Sequence, residues 1–229
     1  ILGCTLTAAL ALTACGRSDS GSGSSSPQET QHAAWRTGLG ILTEASDQER
    51  TGKISTIAAA VLLDADGRVA DVMLDEAEIS VSADSTGKVT MPSDFRTKRQ
   101  KGSDYPLAAV SSLKKGWVEQ ADAFGRYLVG KTPDEVKKLS TDDHGKSTDA
   151  DLLSACTIAV DGYRDAVVRA CESAETLGAA QGDRAVLGAA VRSDTKDLAA
   201  DDDHDVTAQV DITVTALTLD ADGRVTSAL

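Results

Sequence analysis

Seven consecutive residues, Leu63-Asp64-Ala65-Asp66-Gly67-Arg68-Val69, recur at 219–225, and a Thr/Ala/Val-rich stretch precedes them both times. An Asp-Gly pair between two β-prone segments suits a tight hairpin, because glycine tolerates the positive φ that other residues resist. The pattern predicts hairpins joining residues 55–63 to 69–79, and 210–219 to a strand that begins at Val225. A weaker echo stands ahead of each copy, Gly38-Leu39-Gly40-Ile41-Leu42-Thr43 and Val186-Leu187-Gly188-Ala189-Ala190-Val191, so a partial internal repeat is expected. The second copy, over residues 183–229, is read as the beginning of a truncated one; the alternative is that its last strand pairs back into the first domain's sheet. Asp64, Asp66, Asp220 and Asp222 lack the longer acidic ladder and terminal Glu of a calcium loop, so they are read as turn residues. The run Asp201-Asp202-Asp203-His204-Asp205 is read as a solvated loop.

Between the repeats the pattern turns helical. Trp117, Ala121, Phe124 and Leu128 share one face over residues 117–129, and Gly130 supplies a stop. Trp117 and Phe124 are read as core. Thr132-Pro133-Asp134-Glu135 has the hydroxyl, first-turn proline and third-position acid of a capped helix start, predicting a short helix to about Leu139. A further helix is predicted over residues 161–177, with Tyr163, Ala166, Val167, Ala170, Ala174 and Leu177 inward. Hairpins, then helices, then hairpins give an α+β fold, an antiparallel sheet with helices packed on one side.

The front of the chain addresses location. An apolar run over residues 1–14 ends in Leu12-Thr13-Ala14-Cys15 and opens into a Ser/Gly tract. The run is too short for a permanent bilayer span, and small residues stand before the cysteine, so a lipoprotein signal with cleavage and lipidation at Cys15 is predicted. Residues 16–32 are then a flexible tether, and the mature protein is held on the extracytoplasmic face of the cell membrane. No Met or basic segment precedes Ile1, so the chain is read as clipped at its front.

A net charge of -13 argues against nucleic acid, whose phosphates the protein would repel. Aromatic residues make up only 3% of the chain, so the core must be built from Ala, Val, Leu and Ile. Beyond Cys4 and Cys15 only Cys156 and Cys171 remain, which is neither a disulfide framework nor a zinc spacing. With Cys171 in the long helix and Cys156 at its entry, the sulfurs are expected roughly 15 Å or more apart. Disulfide Cα atoms lie within about 7 Å, so two separate, mostly buried thiols are predicted. His32, His144 and His204 form no metal cluster.

Ahead of the last helix lies Asp151-Leu152-Leu153-Ser154-Ala155-Cys156-Thr157-Ile158, which resembles the attachment signature of the FMN-binding domain family, a group that includes extracytoplasmic flavin-carrying lipoproteins and the flavin subunits of sodium-pumping quinone reductase and Rnf complexes. That signature reads Asp, two variable residues, Ser or Thr, Gly, Ala, Thr. Asp151, Ser154 and Thr157 match by type and spacing, Ile158 fits the apolar follower, and Ala155 and Cys156 replace the Gly and Ala. Strand, Asp-Gly turn, strand, helix, a Gly-Lys-Thr segment and the attachment stretch follow the family's order across about residues 35–177. The resemblance implies an FMN-binding-type domain over residues 33–180. It further implies FMN on Thr157 through a phosphoester made by a separate flavin transferase, with the phosphate near the start of the following helix. Ser154 would donate a hydrogen bond, and Asp151 would help shape the loop or assist the transferase's metal. Without the cofactor, residues 154–157 are a small polar cap leading into a helix.

One basic cluster, Arg96, Lys98, Arg99 and Lys101, stands out in an acidic chain. The family has a Thr/Pro/Gly-rich loop over the flavin at about this place, for which Thr97 and Gly102 are the loose counterparts. The residues themselves read as a solvated, charge-balancing loop. The reading is thus a membrane-anchored electron carrier with FMN at or near Thr157, its partners a redox protein or flavin transferase. The alternative is a non-catalytic surface lipoprotein that binds a ligand or protein partner. No side-chain hydrolase signature is present.

Overall fold

A computed structural model describes residues 34–193, 195 and 208–229. The signal, Cys15, the tether, His32 and the acidic run at 201–205 lie outside the described residues. The fold is α+β, with two antiparallel sheets. In the first, strands β1 (Arg36–Gln48), β2 (Thr51–Leu63), β3 (Val69–Ala83) and β4 (Val89–Thr90) lie in that order. In the second, β5 (Arg184–Arg192), β6 (Asp211–Leu219) and β7 (Val225–Ala228) form a meander. Six helices stand between them in the chain: α1 (Lys98–Lys101), α2 (Leu107–Val110), α3 (Trp117–Leu128), α4 (Pro133–Lys137), α5 (Ala150–Leu153) and α6 (Asp161–Glu172).

Both Asp-Gly segments form the expected turns. Asp64 Oδ1 accepts from the amides of Asp66 and Arg68 at 2.9 and 2.8 Å, and Gly67 takes φ 78°. Asp220 does the same for Asp222 and Arg224 at 2.9 and 2.8 Å, with Gly223 at φ 79°. These carboxylates are spent on holding their own turns, which is the turn reading rather than the calcium one.

Strand β2 is buried on both faces. Side chains alternate across a strand, so Ala59, Val61 and Leu63 join the core beneath the helices, while Ala60 and Leu62 join a second core with Ala185 and Ala216. The helices therefore occupy one side of the first sheet, as expected. The other side is covered by β5–β7, the segment read as a truncated second copy. Its last strand pairs with β6, not with the first sheet. Thr37 Oγ1 and Ser227 Oγ meet between the layers at 2.5 Å.

Helix α3 begins at Gly116, whose amide donates to Glu119 Oε2 at 2.8 Å. Helix α4 has the expected reciprocal cap: the Thr132 amide donates to Glu135 Oε2 at 2.7 Å, and the Glu135 amide to Thr132 Oγ1 at 3.3 Å. Helix α6 stops five residues short of the predicted end at 177. Beyond it, Thr37 and Glu175 exchange backbone hydrogen bonds of 2.9 Å each, drawing the chain onto the edge of β1. Leu177, predicted inward, is exposed.

Helix α6 rests on bare backbone. A Cβ at Gly38 would stand 1.8 Å from the Ala170 carbonyl oxygen, and one at Gly40 would stand 1.9 Å from that of Ala166. Only glycine permits this approach. Gly40→Ala is expected to cost about 3 kcal/mol in urea denaturation, since the helix must move or the strand bend. Gly52→Ala, where nothing lies within 4 Å, should stay within about 0.5 kcal/mol of the parent.

Candidate functional site

The helix-facing side of β3 carries Leu74, Glu76 and Glu78 in succession, the first in the core and the two acids beyond it. An acid inside a buried strand is expensive unless it is paired. Glu76 is only 6% exposed, and three elements bring it partners. Ser55 of β2 donates to Oε1 at 2.8 Å, the Tyr163 hydroxyl of α6 donates to Oε2, and the Lys98 ammonium of α1 lies 2.8 Å from Oε2. Trp117 of α3 extends the network, donating from Nε1 to the Tyr163 hydroxyl oxygen at 3.1 Å with the ring centroids 5.9 Å apart. Lys98 also lies 3.4 Å from Glu78, which Lys53 meets at 3.0 Å, and its ammonium stands 5.2 Å from the Tyr105 ring centroid.

Burial works to lower the Lys98 pKa, but Glu76, Tyr105 and Glu78 outweigh it and hold it above its ordinary value. Burial raises the Tyr163 pKa, and the negative charge of Glu76 raises it further, well above the usual phenol range. At neutral pH the floor of this site therefore holds an ammonium and a neutral phenol.

Above this floor opens a cleft of about 300 Å³. Ile57, Leu107 and Ile158 give it apolar walls, Tyr105, Trp117 and Tyr163 give it rings, and Glu44 and Asp161 stand at its rim. A larger depression of about 670 Å³, at the β1–β2 end of the first sheet, has polar walls such as Ser46, Gln48 and Thr51 and no aromatic side chain.

Of the residues matched to the attachment signature, Ile158 lines the cleft, whereas Asp151, Ser154 and Thr157 do not. Ile158 and Ala159, directly after Thr157, form its wall. Thr157 itself is half-buried and turns toward α3: its amide and hydroxyl both donate to Gln120 Oε1, at 2.8 and 3.1 Å. Gln120 is fully buried, and its Nε2 donates to Ser111 Oγ at 3.0 Å and to the Lys115 carbonyl at 2.9 Å. Ser154 is exposed and donates within its own turn to the Asp151 carbonyl at 2.7 Å. Asp151 is exposed in the first turn of α5, which Asp149 caps.

Nor does residue 157 open a helix, because α6 begins only at Asp161. Five of the neighbouring amides have internal acceptors. Those of Ala155 and Cys156 bond Leu152, those of Val160 and Asp161 bond Gly145, and that of Gly162 bonds the Asp161 carboxylate. A carboxylate thus already occupies the place at the helix start where a phosphate was expected.

Thr97 and Gly102 lie at the two ends of α1. Thr97 is buried, donates to Asp75 Oδ2 at 2.7 Å and accepts from the Gln100 amide at 3.2 Å. Gly102 closes the helix at φ 53°. Together they aim Lys98 into the floor. The basic cluster is therefore not the solvated loop expected. Lys98 is 8% exposed, and Arg99 reaches in to Asp122 at 2.7 Å and to the Leu74 carbonyl at 2.8 Å, while Arg96 pairs outside with Asp94 and Asp104. Sequence reasoning named Lys98 and Tyr163 for other roles and missed Glu76; the available signal was an acid in the middle of a strand facing a helix. Cys156 and Cys171 are both free and buried, and burial pushes their thiols up to about 11 and about 12.

No protein-family model matches the chain, and neither a curated protein nor a solved structure does.

Lys98→Met would strand Glu76 without its cation and is expected to cost about 3 kcal/mol by denaturant titration; adding Glu76→Gln should recover part of that loss. Lys98 and Tyr163 both have folded-state pKa values raised above their unfolded ones. The stability they contribute is complete below about pH 10 and is lost as pH rises through the folded values. The thermal midpoint should therefore fall above about pH 10, and less steeply in Tyr163→Phe.

Proposed function

We propose that the chain is a lipid-anchored, extracytoplasmic flavin-binding domain that holds the ring system of a flavin in the cleft above Glu76, Lys98 and Tyr163 and serves as an electron carrier. The observation that carries this reading is the meeting of two independent features. The segment resembling a flavin attachment signature ends at Ile158, and Ile158, with Ala159 after it, walls a cleft lined by Tyr105, Trp117 and Tyr163. A volume of about 300 Å³ lies at the lower end for small-molecule sites, room for a ring system rather than a whole dinucleotide.

A flavin supplies two-electron, two-proton redox chemistry when bound, and the chain's residues supply position and field. Ile57, Leu107 and Ile158 exclude water from a planar guest. Lys98 offers a fixed positive charge, kept in place by Glu76 and Glu78, near which developing negative charge is stabilised. Tyr163 and Trp117 are locked by their mutual hydrogen bond, so the floor costs little to order on binding.

The engaged hydroxyl of Thr157 favours a second reading, a non-catalytic lipoprotein whose cleft binds some other small ligand. Anchoring rests on the Cys15 sequence alone; among the described residues no helix is long and apolar enough to cross a membrane.

The test is a titration of the purified chain with riboflavin and FMN, followed by quenching of flavin fluorescence. Micromolar binding, weakened about tenfold or more in Trp117→Leu, is expected. Absence of quenching by either flavin at 100 µM protein would leave the second reading. In the source cell, Cys15→Ser is expected to abolish lipid labelling and release the protein from membranes.

A further inference from the structure

Resting on the flavin reading, we infer that this cleft selects a flavin without its phosphate, a neutral riboflavin-type ligand, and that it holds it without a bond to Thr157. Three observations lead there.

The first is the state of Thr157. Its hydroxyl is a hydrogen-bond donor, aimed at a carbonyl oxygen that also accepts its amide. A phosphoester at Oγ1 would remove that hydrogen and set two acceptor oxygens about 3 Å apart. Turning the Gln120 amide over would not relieve this. Its nitrogen would then face the Thr157 N–H, and its oxygen would face the Lys115 carbonyl, leaving buried groups unpaired. Gln120 is thus a positioning residue that keeps Thr157 in its free, protonated form.

The second observation is the supply of phosphate ligands. The amides of Ala155, Cys156, Thr157, Val160, Asp161 and Gly162 all have acceptors inside the chain, so these six are already spent and do not form an anion-binding cradle. The Asp161 carboxylate takes the place beside the start of α6 where an anion would gain most.

The third is charge. Three carboxylates, Glu44, Glu76 and Asp161, line the cleft with one ammonium, Lys98, and that ammonium is shared between Glu76 and Glu78. A phosphate dianion tethered to the ring would stand within one Debye length of the two carboxylates at the rim, in a protein of net charge -13. A neutral ribityl chain, by contrast, meets them as a hydrogen-bond donor.

Riboflavin and FMN share the ring and differ at the phosphate, so the pair isolates the claim. With the full chain at about 20 mM salt, riboflavin is expected to bind about tenfold more tightly than FMN. The gap should narrow several-fold at 0.5 M salt, where rim charges are screened. The double variant Glu44→Gln with Asp161→Asn should move the ratio of the two dissociation constants toward one. Co-expression with a flavin transferase should add no flavin mass to the Thr157 peptide. Equal or tighter binding of FMN, or an FMN adduct on Thr157, overturns this inference while leaving the flavin reading in place. If neither flavin binds, the flavin reading falls and this inference with it.

Discussion

The approach of α6 to the bare backbone of β1 sets the position of the other parts of the site. Because Gly38 and Gly40 carry no side chain, the helix comes within contact of the strand along its Ala166 and Ala170 face. That depth brings Tyr163, one turn earlier, down to Glu76 on β3 and puts Asp161 at the rim. A helix held even one side-chain layer farther out would leave the Glu76 carboxylate facing a gap. Its burial would then be harder to offset, with the Lys98 ammonium left as partner but the Tyr163 phenol withdrawn. Backbone packing in one place thus decides protonation and charge in another.

The polar floor is complete in itself. Among the described residues no buried side-chain nitrogen or oxygen lacks a partner. Glu76 on β3 takes partners from β2, α6 and α1, so one carboxylate ties the sheet to two helices. Removing any single donor affects the others, because each bond in a low-dielectric network polarises its neighbours. Such a floor is stiff, and stiffness suits a site that must present a fixed charge to a guest rather than fold around it.

What was legible in the sequence was local. The capped start at Thr132, the apolar face of α3 and the Asp-Gly hairpins each depend on residues a few positions apart, and each formed where the pattern put it. The end of α6 was not legible, because it is fixed by backbone exchange between Thr37 and Glu175. The cover on the second face of β2 left a trace in the unbroken apolar run from Ala58 to Leu63, since a strand with one wet face would alternate. The direction of the Thr157 hydroxyl left none. Residue types three apart suggested an attachment signature, but Gln120, 37 residues away, decides where that oxygen points. The Glu76 site likewise joins residues up to 87 positions apart.

The repeated heptapeptide separates these two levels within one chain. In both copies the aspartate holds the same two amides, the glycine takes nearly the same φ, and a register shift falls at the last residues of the incoming strand. Local chemistry alone therefore suffices for the hairpin. Burial does not follow it. Val69 is 1% exposed, because it pairs its backbone with Gly130 and Lys131 at the end of α3, and Arg68 reaches over to the Gly130 carbonyl at 2.8 Å. Val225, the same residue of the same motif, is 58% exposed, and Arg224 turns back to Asp220 and Asp222 of its own turn. A turn can be copied by copying seven residues, whereas a core requires the helices that cover it. That is why the Glu76 floor and its cleft stand on the first meander, beneath the helices.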